Sequence, residues 1–488
     1  CRPPASVPER GHPAGALATQ MPQDGEAAKD RFGLPVTTAS GDCAKAVSDY
    51  YDAVLAYRPF SAWGAAAEAA LAADPGCPLA RVAAADFAFC SGDAGRAASL
   101  VEGLDADITS GVAEAWTWRE RRYAHAWSRW VKEGDPPGCY DALAEVVEKH
   151  PEDLFAVKRG HIMGLILGDG DRILSIVEKA GKTAASDPPP RFLHGMWAFG
   201  LEQKGRYEDA EAKAREGYAF EEALGPDAWL DHGLAHALYF QGEDRIDEAV
   251  DFLKARSANW SAEALHPFLF THCWWHLALL HCETRNFADA LKIFDERLWT
   301  EEHAEMQKDP QVQLNAMNLL WRMDTRGQSQ LTRPLWKKVL KWCRGTTLPK
   351  EVKGEKAPLQ HSDLLLDVLI IRGLCVEAAS DVTALETFLQ SVAAHAEAMA
   401  AGTGEGAKSR GEAYGAIARF VAQLYRADQP EAGLPERQHE ARKGLRELQD
   451  RWGSVGGSEE QRGILLEAAE GHPIVCGAPE VNYDQLFR

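Results

Sequence analysis

The chain has 488 residues, of which 45% are hydrophobic and 26% charged, and it carries a formal net charge of -20 with a pI near 5.3. This composition is typical of a soluble globular protein, and the acidic surplus argues against nucleic acid or an anionic membrane as the main partner, since both require clustered Lys and Arg. The ten cysteines form no Cys-x-x-Cys pair, which favours reduced thiols and a cytoplasmic protein over a disulfide framework.

The first residues differ in character from the rest of the chain. Residues 1–32 are rich in Pro, Gly, Ala and charged residues without periodicity, so we expect a disordered tail. Beyond them strand signals are nearly absent and helical stripes recur. One such stripe consists of Phe287, Ala290, Leu291, Phe294 and Leu298. The sequence therefore predicts an all-α protein.

Turn residues recur between paired helices, at 91–93, 133–135, 204–207, 241–244 and 284–287. A small residue follows three of these turns at a matching offset, and Ala210, Ala249 and Ala290 are spaced by about 40 residues, which is a repeat period. We predict a solenoid of tetratricopeptide-like helical hairpins.

The domain boundaries follow from this pattern. We expect the helical array to cover 33–345, a linker to cover 346–360, a C-terminal helical block to cover 361–476 and a tail to cover 477–488. The longest apolar run, at 364–371, is interrupted by Asp367 and is far shorter than the roughly 20 residues of a membrane span, so a buried helix is expected there.

Stacked hairpins of this kind form a superhelix with a concave inner surface, which suits extended peptides or partner helices. We therefore expect a protein or peptide partner, no nucleic acid and no membrane, and leave the oligomeric state open. Most Trp residues are expected to pack between hairpins rather than line a groove.

Two His pairs are not required by such an array. His232 and His236, and likewise His272 and His276, are four residues apart and share one helix face. Two such pairs on adjacent helices could converge on one transition-metal ion or a dinuclear centre. Further ligands or orienting groups could come from His161, Asp231 and Asp363.

Three interpretations of the paired histidines stay open: packing between hairpins, a ligand or peptide site, and metal or acid–base chemistry. Neither pair contains the Glu of His-Glu-x-x-His, so a zincin-type peptidase is not indicated. Cys273 lies roughly 100° around the helix from His272 and is not expected to act as a nucleophile.

Several segments, in their linear order, resemble the tetratricopeptide repeat protein 38 family. They are 32–38, 119–122, 150–158, His161, 199–201, 227–229, the two His pairs, 319–322, 456–458, Gln461 and Arg462. The resemblance spans most of the chain and implies a solenoid with a helical C-terminal cap, but no firmly assigned activity. Gly463 stands where the family typically carries Asp, and the tail after 471–473 is unrelated, so we expect the closing helices of the cap to be missing or replaced.

The sequence thus predicts a soluble helical-repeat interaction protein that binds a peptide, partner helix or small ligand on its concave face. The candidate contacts are His161, His232, His236, His272, Trp275 and His276, supported by Trp229 and Trp274. No cofactor is expected other than a transition metal on the paired histidines. The alternative is a helical-repeat enzyme, a hydrolase or a metal-dependent one, that uses the same histidines.

Overall fold

A computed structural model describes residues 28–181, 190–343, 351–352, 355–356, 361, 363–378, 382–402, 406–426 and 433–470. The described chain is all-α apart from one isolated bridge between Lys29 and Pro35 and one antiparallel pair of two-residue strands, β1 (Glu351–Val352) and β2 (Glu355–Lys356).

The first helices form consecutive antiparallel hairpins. They are α1 (Gly41–Leu55), α2 (Phe60–Ala73), α3 (Pro78–Cys90), α4 (Ala94–Ser110), α5 (Trp118–Trp127), α6 (Pro136–Lys149), α7 (Leu154–Leu167) and α8 (Gly170–Ala180). The array continues with α9 (Leu193–Glu202), α10 (Tyr207–Tyr218), α11 (Glu221–Leu224), α12 (Ala228–Phe240), α13 (Ile246–Arg256), α14 (Pro267–Glu283), α15 (Phe287–Ile293), α16 (Pro310–Thr325) and α17 (Ser329–Cys343).

The C-terminal block contains α18 (Leu364–Glu377), α19 (Val382–Ala400), α20 (Ala407–Tyr425), α21 (Leu434–Glu447) and α22 (Glu459–Glu470). Short 3-10 segments lie at Val112–Ala115, Glu243–Arg245, Ser257–Asn259, Glu301–His303, Met306–Lys308 and Gln449–Val455, and π turns at Ser128–Lys132 and Phe294–Leu298. No helix in the described ranges combines the length and the apolar character that crossing a membrane requires.

The predicted turns are confirmed. Each of the five turn segments falls between two helices, and Gly205 at one of them has a φ of +67°, a left-handed conformation that favours glycine. The three small residues of the predicted period, Ala210, Ala249 and Ala290, are fully buried. Because an alanine lets two helices approach closely, these positions define the packing of each hairpin.

The predicted tail boundary at residue 32 is too late. Asp30 is buried, and its carboxylate accepts a hydrogen bond from Arg119 Nη2 at 2.6 Å. An acidic side chain paired inside the fold cannot belong to a disordered tail. The rest of that tail, 1–27, and the predicted C-terminal tail, 477–488, lie outside the described residues, as does most of the linker at 346–360.

The inner face of the array, defined as the side towards which His236 and His276 point, is covered by the C-terminal block. The residues between the 3-10 segment Gln449–Val455 and α22 reach the end of α7, where Gly457 N donates to Leu165 O at 3.0 Å. A Cβ on Gly168 would lie 2.3 Å from the carbonyl oxygen of Gly453, so this backbone contact requires glycine.

The turn between α1 and α2 also contacts the middle of the array. There Tyr57 O accepts a hydrogen bond from His266 N at 2.6 Å, and the Tyr57 ring stacks on Trp229 with ring centroids 5.2 Å apart. This turn therefore meets the helices that carry the paired histidines.

Candidate metal centre

Helices α12 and α14 carry the two His pairs, and the start of each is fixed locally. Asp227 caps α12 by accepting from Trp229 N at 2.9 Å. His266 caps α14, whose first residue is Pro267, a residue suited to that position because the first helical N–H has no partner within the helix. With both starts set, the four-residue spacing directs each pair of imidazoles to one face.

The two pairs converge. His236 Nε2 lies 3.0 Å from His232 Nε2, and His276 Nε2 lies 3.3 Å from His272 Nε2. One nitrogen from each of the four rings can be chosen so that all lie within 4.8 Å of one another. The expectation that adjacent helices bring the pairs together is met by the geometry.

The cluster is enclosed. The four histidines are between 0 and 3% exposed. Trp275 stacks on His272 with ring centroids 4.9 Å apart, and Trp229 lies 4.3 Å from His232. Aromatic rings therefore form the walls, and a solute cannot reach the imidazoles in this conformation.

The proton on His272 is placed by a chain of hydrogen bonds. Thr271 Oγ1 donates to Pro267 O at 2.9 Å and so must accept from Asn315 Nδ2, which is 3.0 Å away. This orients the amide with Asn315 Oδ1 towards His272 Nδ1, at 2.9 Å. Since a carbonyl oxygen only accepts, Nδ1 of His272 carries the hydrogen and Nε2 of the neutral ring is bare.

Neighbouring carboxylates favour particular hydrogen positions on His236 and His276. Glu460 Oε2, from α22, lies 3.0 Å from His276 Nδ1 and 3.3 Å from His236 Nδ1. Glu202 Oε1, at the end of α9, lies 3.4 Å from the same nitrogen of His236. A carboxylate beside Nδ1 favours the hydrogen there and turns the bare Nε2 inward.

The pKa directions agree with this arrangement. Burial, with neighbouring imidazoles, holds the pKa values of His232 and His272 well below the ordinary value. Burial also lowers the pKa of His276, although Glu460 opposes it. Burial would raise the pKa of Glu460, but His276 and His236 outweigh it and bring the pKa to about 2, so the carboxylate is ionised.

His236 is the exception among the four rings. Burial disfavours its charged form, yet the carboxylates of Glu202 and Glu460 outweigh burial and raise its pKa. In its charged form His236 carries a hydrogen on Nε2 as well as on Nδ1, and it can donate the Nε2 hydrogen to His232 Nε2.

The pair formed by His272 and His276 lacks a donor of this kind. In the tautomers that Asn315 and Glu460 favour, the bare Nε2 atoms of His272 and His276 face each other at 3.3 Å, and burial lowers the pKa of both rings. Two lone pairs at this distance repel unless a cation lies between them. Two nitrogens bound to one tetrahedral zinc ion are about 3.4 Å apart, given Zn–N distances of about 2.0–2.1 Å.

The remaining residues expected at the site lie elsewhere. His161 is separated from the cluster by Phe199, whose ring centroid is 5.4 Å from that of His161 and 5.2 Å from that of His232. Trp274 packs against Trp260 on another side of α14, with ring centroids 5.5 Å apart.

The proposed oxygen ligands are also outside the cluster. Asp231 is held by Tyr218, Arg256 and Trp260. Asp363 caps α18 through Leu366 N at 2.9 Å. Neither aspartate belongs to the group of side chains that could hold one metal ion, which consists of the four histidines.

Cys273 is placed as expected, since its Sγ faces Ala228 O at 3.8 Å rather than the imidazoles. The groups that orient the imidazoles, Glu202, Asn315 and Glu460, were missed. Each lies in a different helix from the four histidines, so no local pattern in the sequence connects it with them.

No family model matches this chain, and the resemblance to the tetratricopeptide repeat protein 38 family stays a prediction. Among solved structures, the chain is similar to the apo form of the quorum sensor NprR from B. thuringiensis, with a TM-score of 0.32 and 10% sequence identity, over 80% of this chain and 97% of that one. A similarity of this size bears on neither the cluster nor the function.

Proposed function

We propose that this chain is a helical-repeat interaction protein whose fold is held together by one transition-metal ion bound to His232, His236, His272 and His276. The observation that carries the proposal is the buried group of four imidazoles, in which one nitrogen of each ring lies within 4.8 Å of the others. A divalent cation bound there would replace the repulsion between facing lone pairs with coordination.

The donor set favours particular metals. Imidazole nitrogen suits zinc, copper, iron and nickel, whereas calcium and magnesium require oxygen ligands. Four protein ligands around an enclosed zinc ion leave no open position for a substrate, which is the arrangement of structural zinc sites. We therefore assign the metal a structural role and take zinc as the reference ion.

The metal would join elements that are distant in sequence. Two ligands come from α12 and two from α14, while Asn315 of α16 and Glu460 of α22 orient the rings. The ion would thus link the array to the C-terminal block.

Peptide binding by the same histidines is the competing function. It would require α22 to leave the inner face, because Glu460 and its helix cover the imidazoles. With the metal bound, we expect a protein partner to contact the outer surface instead.

The test is a zinc titration of the chelator-stripped full chain in competition with a chromophoric chelator. The His236→Gln/His276→Gln double variant removes one ligand from each helix, and His281→Gln is the matched control, a buried histidine of α14 outside the cluster. We expect one site per chain in the wild type and the control and none in the double variant. Equal zinc binding by all three proteins, or no binding by the wild type, would refute the proposal.

A further inference from the structure

A second group of polar side chains lies in the C-terminal block, between α18 and α19. His361 Nδ1 is 2.9 Å from Asp367 Oδ2, and His361 Nε2 is 2.8 Å from Ser391 Oγ. The side chains of His361 and Asp367 are 4% and 2% exposed, whereas Ser391 is partly exposed. The Asp367 carboxylate, the His361 imidazole and the Ser391 hydroxyl thus form a chain of hydrogen bonds, and the hydroxyl is the most exposed of the three groups.

The hydrogen bonds of Asp367 determine which nitrogen of His361 carries the hydrogen. Tyr414 OH donates to Asp367 Oδ2, the same oxygen that faces His361. Because the carboxylate only accepts, His361 carries its hydrogen on Nδ1 and presents the bare Nε2 to the hydroxyl of Ser391. This is the tautomer that a general base needs in order to take the proton of a serine.

We propose that Ser391, His361 and Asp367 form a nucleophilic site that hydrolyses carboxylic esters. Ser391 Oγ bonds to the acyl carbon as its proton passes to His361 Nε2. The carbon–oxygen bond of the ester then breaks, and the leaving alkoxide takes that proton. Water attacks the acyl-serine, gives a proton to His361 and releases the acid, and Ser391 regains its hydrogen. The net reaction is ester plus water to acid plus alcohol.

The negative charge that develops on the acyl oxygen during the reaction needs a hydrogen-bond donor. The backbone N–H groups around Ser391 are used within α19, so a side chain must supply it. His395 lies one turn further along the same helix, and its ring stacks on His361 with centroids 4.9 Å apart. We assign this role to the ring N–H of His395. Burial, with His361 beside it, lowers the pKa of His395, which keeps the ring neutral.

Ser391 can be tested directly with a fluorophosphonate probe, which forms a covalent bond with an activated serine. The purified full chain is incubated with the probe and the labelled peptide is identified by mass spectrometry. We expect labelling at Ser391, and hydrolysis of 4-nitrophenyl acetate that the probe blocks. Absence of labelling in the wild type, or labelling only at another serine, would overturn the proposal without any variant.

Two variants separate catalysis from packing. Ser391→Ala should abolish labelling and hydrolysis, whereas Thr387→Ala, which removes a hydroxyl one turn earlier on α19, should leave both unchanged. His361→Gln should slow labelling by about 100-fold or more, the usual contribution of a general base. Equal labelling rates in His361→Gln and the wild type would show that Ser391 is not activated by this histidine.

Discussion

At the residue scale, Glu460 is the group on which the proposed metal centre depends most outside the four ligands. Its carboxylate lies beside Nδ1 of both His236 and His276, one ring from each pair. Carboxylates in this position hold the ring orientation and increase the basicity of the coordinating nitrogen. One residue of the C-terminal block therefore acts on both His pairs.

Replacing Glu460 by Gln should weaken zinc binding by about 10–100-fold, the usual effect of losing such a group. The amide keeps the size of the side chain but loses its charge and one acceptor oxygen. Competition with a chromophoric chelator measures the change. Glu459→Gln is the control, since this neighbouring carboxylate points outward, with its side chain 55% exposed. A similar affinity for Glu460→Gln and wild type would show that Glu460 does not support the ligands.

The four histidines could be found from the sequence because their spacing is a local property of a helix. The groups that orient them could not, because Glu202, Asn315 and Glu460 lie in three other helices and meet the imidazoles only through the tertiary fold. His161 was included by resemblance to a family, yet Phe199 separates it from the cluster. Local spacing thus identified the four clustered histidines but not the residues that orient them.

At the element scale, α22 closes the inner face and is held there by buried charge. Glu467 Oε1 lies 2.7 Å from Arg322 Nη1, and both side chains are at most 2% exposed. Glu467 Oε2 lies 2.7 Å from Arg326 Nη1 as well. Asn318 Nδ2 donates to Gln461 O at 2.9 Å. Helix α16 therefore binds both the side chains and the backbone of α22.

Changing Glu467 to Gln should lower the free energy of unfolding by roughly 3–5 kcal/mol, because it removes the ion-pair partner of the buried Arg322 and leaves Arg326 with Glu283 alone. Urea unfolding followed by circular dichroism gives the value. The matched control is Glu470→Gln in the same helix, whose carboxylate pairs with the exposed Arg446 and should cost below about 1 kcal/mol. Equal costs for the two variants would mean that α22 is not held by the Glu467 pairs.

Most of the helices could be predicted because turns and periodicity are local. The turn at Gly205 and the small residue Ala210 define a hairpin in the sequence as they do in the structure. The covering of the inner face could not be predicted, because it rests on pairs such as Asn318 with Gln461, which are 143 residues apart. The buried Asp30 was missed for the same reason, since its partner is Arg119.

At the scale of the whole molecule, segments that are distant in sequence contact the middle of the array. Tyr57 contacts His266 from one side, and the segment with Gly457 contacts Leu165 from the other. A repeat array usually depends on contacts between neighbouring repeats alone. Here contacts between distant segments are added to those between neighbours, and a metal ion bound to the two His pairs would add one more.

The most direct test of this account is the metal content of the full chain as purified, measured by plasma mass spectrometry. We expect close to one zinc or other transition-metal ion per chain, lost in the His236→Gln/His276→Gln double variant and retained in His281→Gln. Metal in the same amount in the double variant would place the ion elsewhere. A wild-type chain that is free of metal, and stays so after incubation with zinc, would contradict the account and leave the four histidines as packing residues.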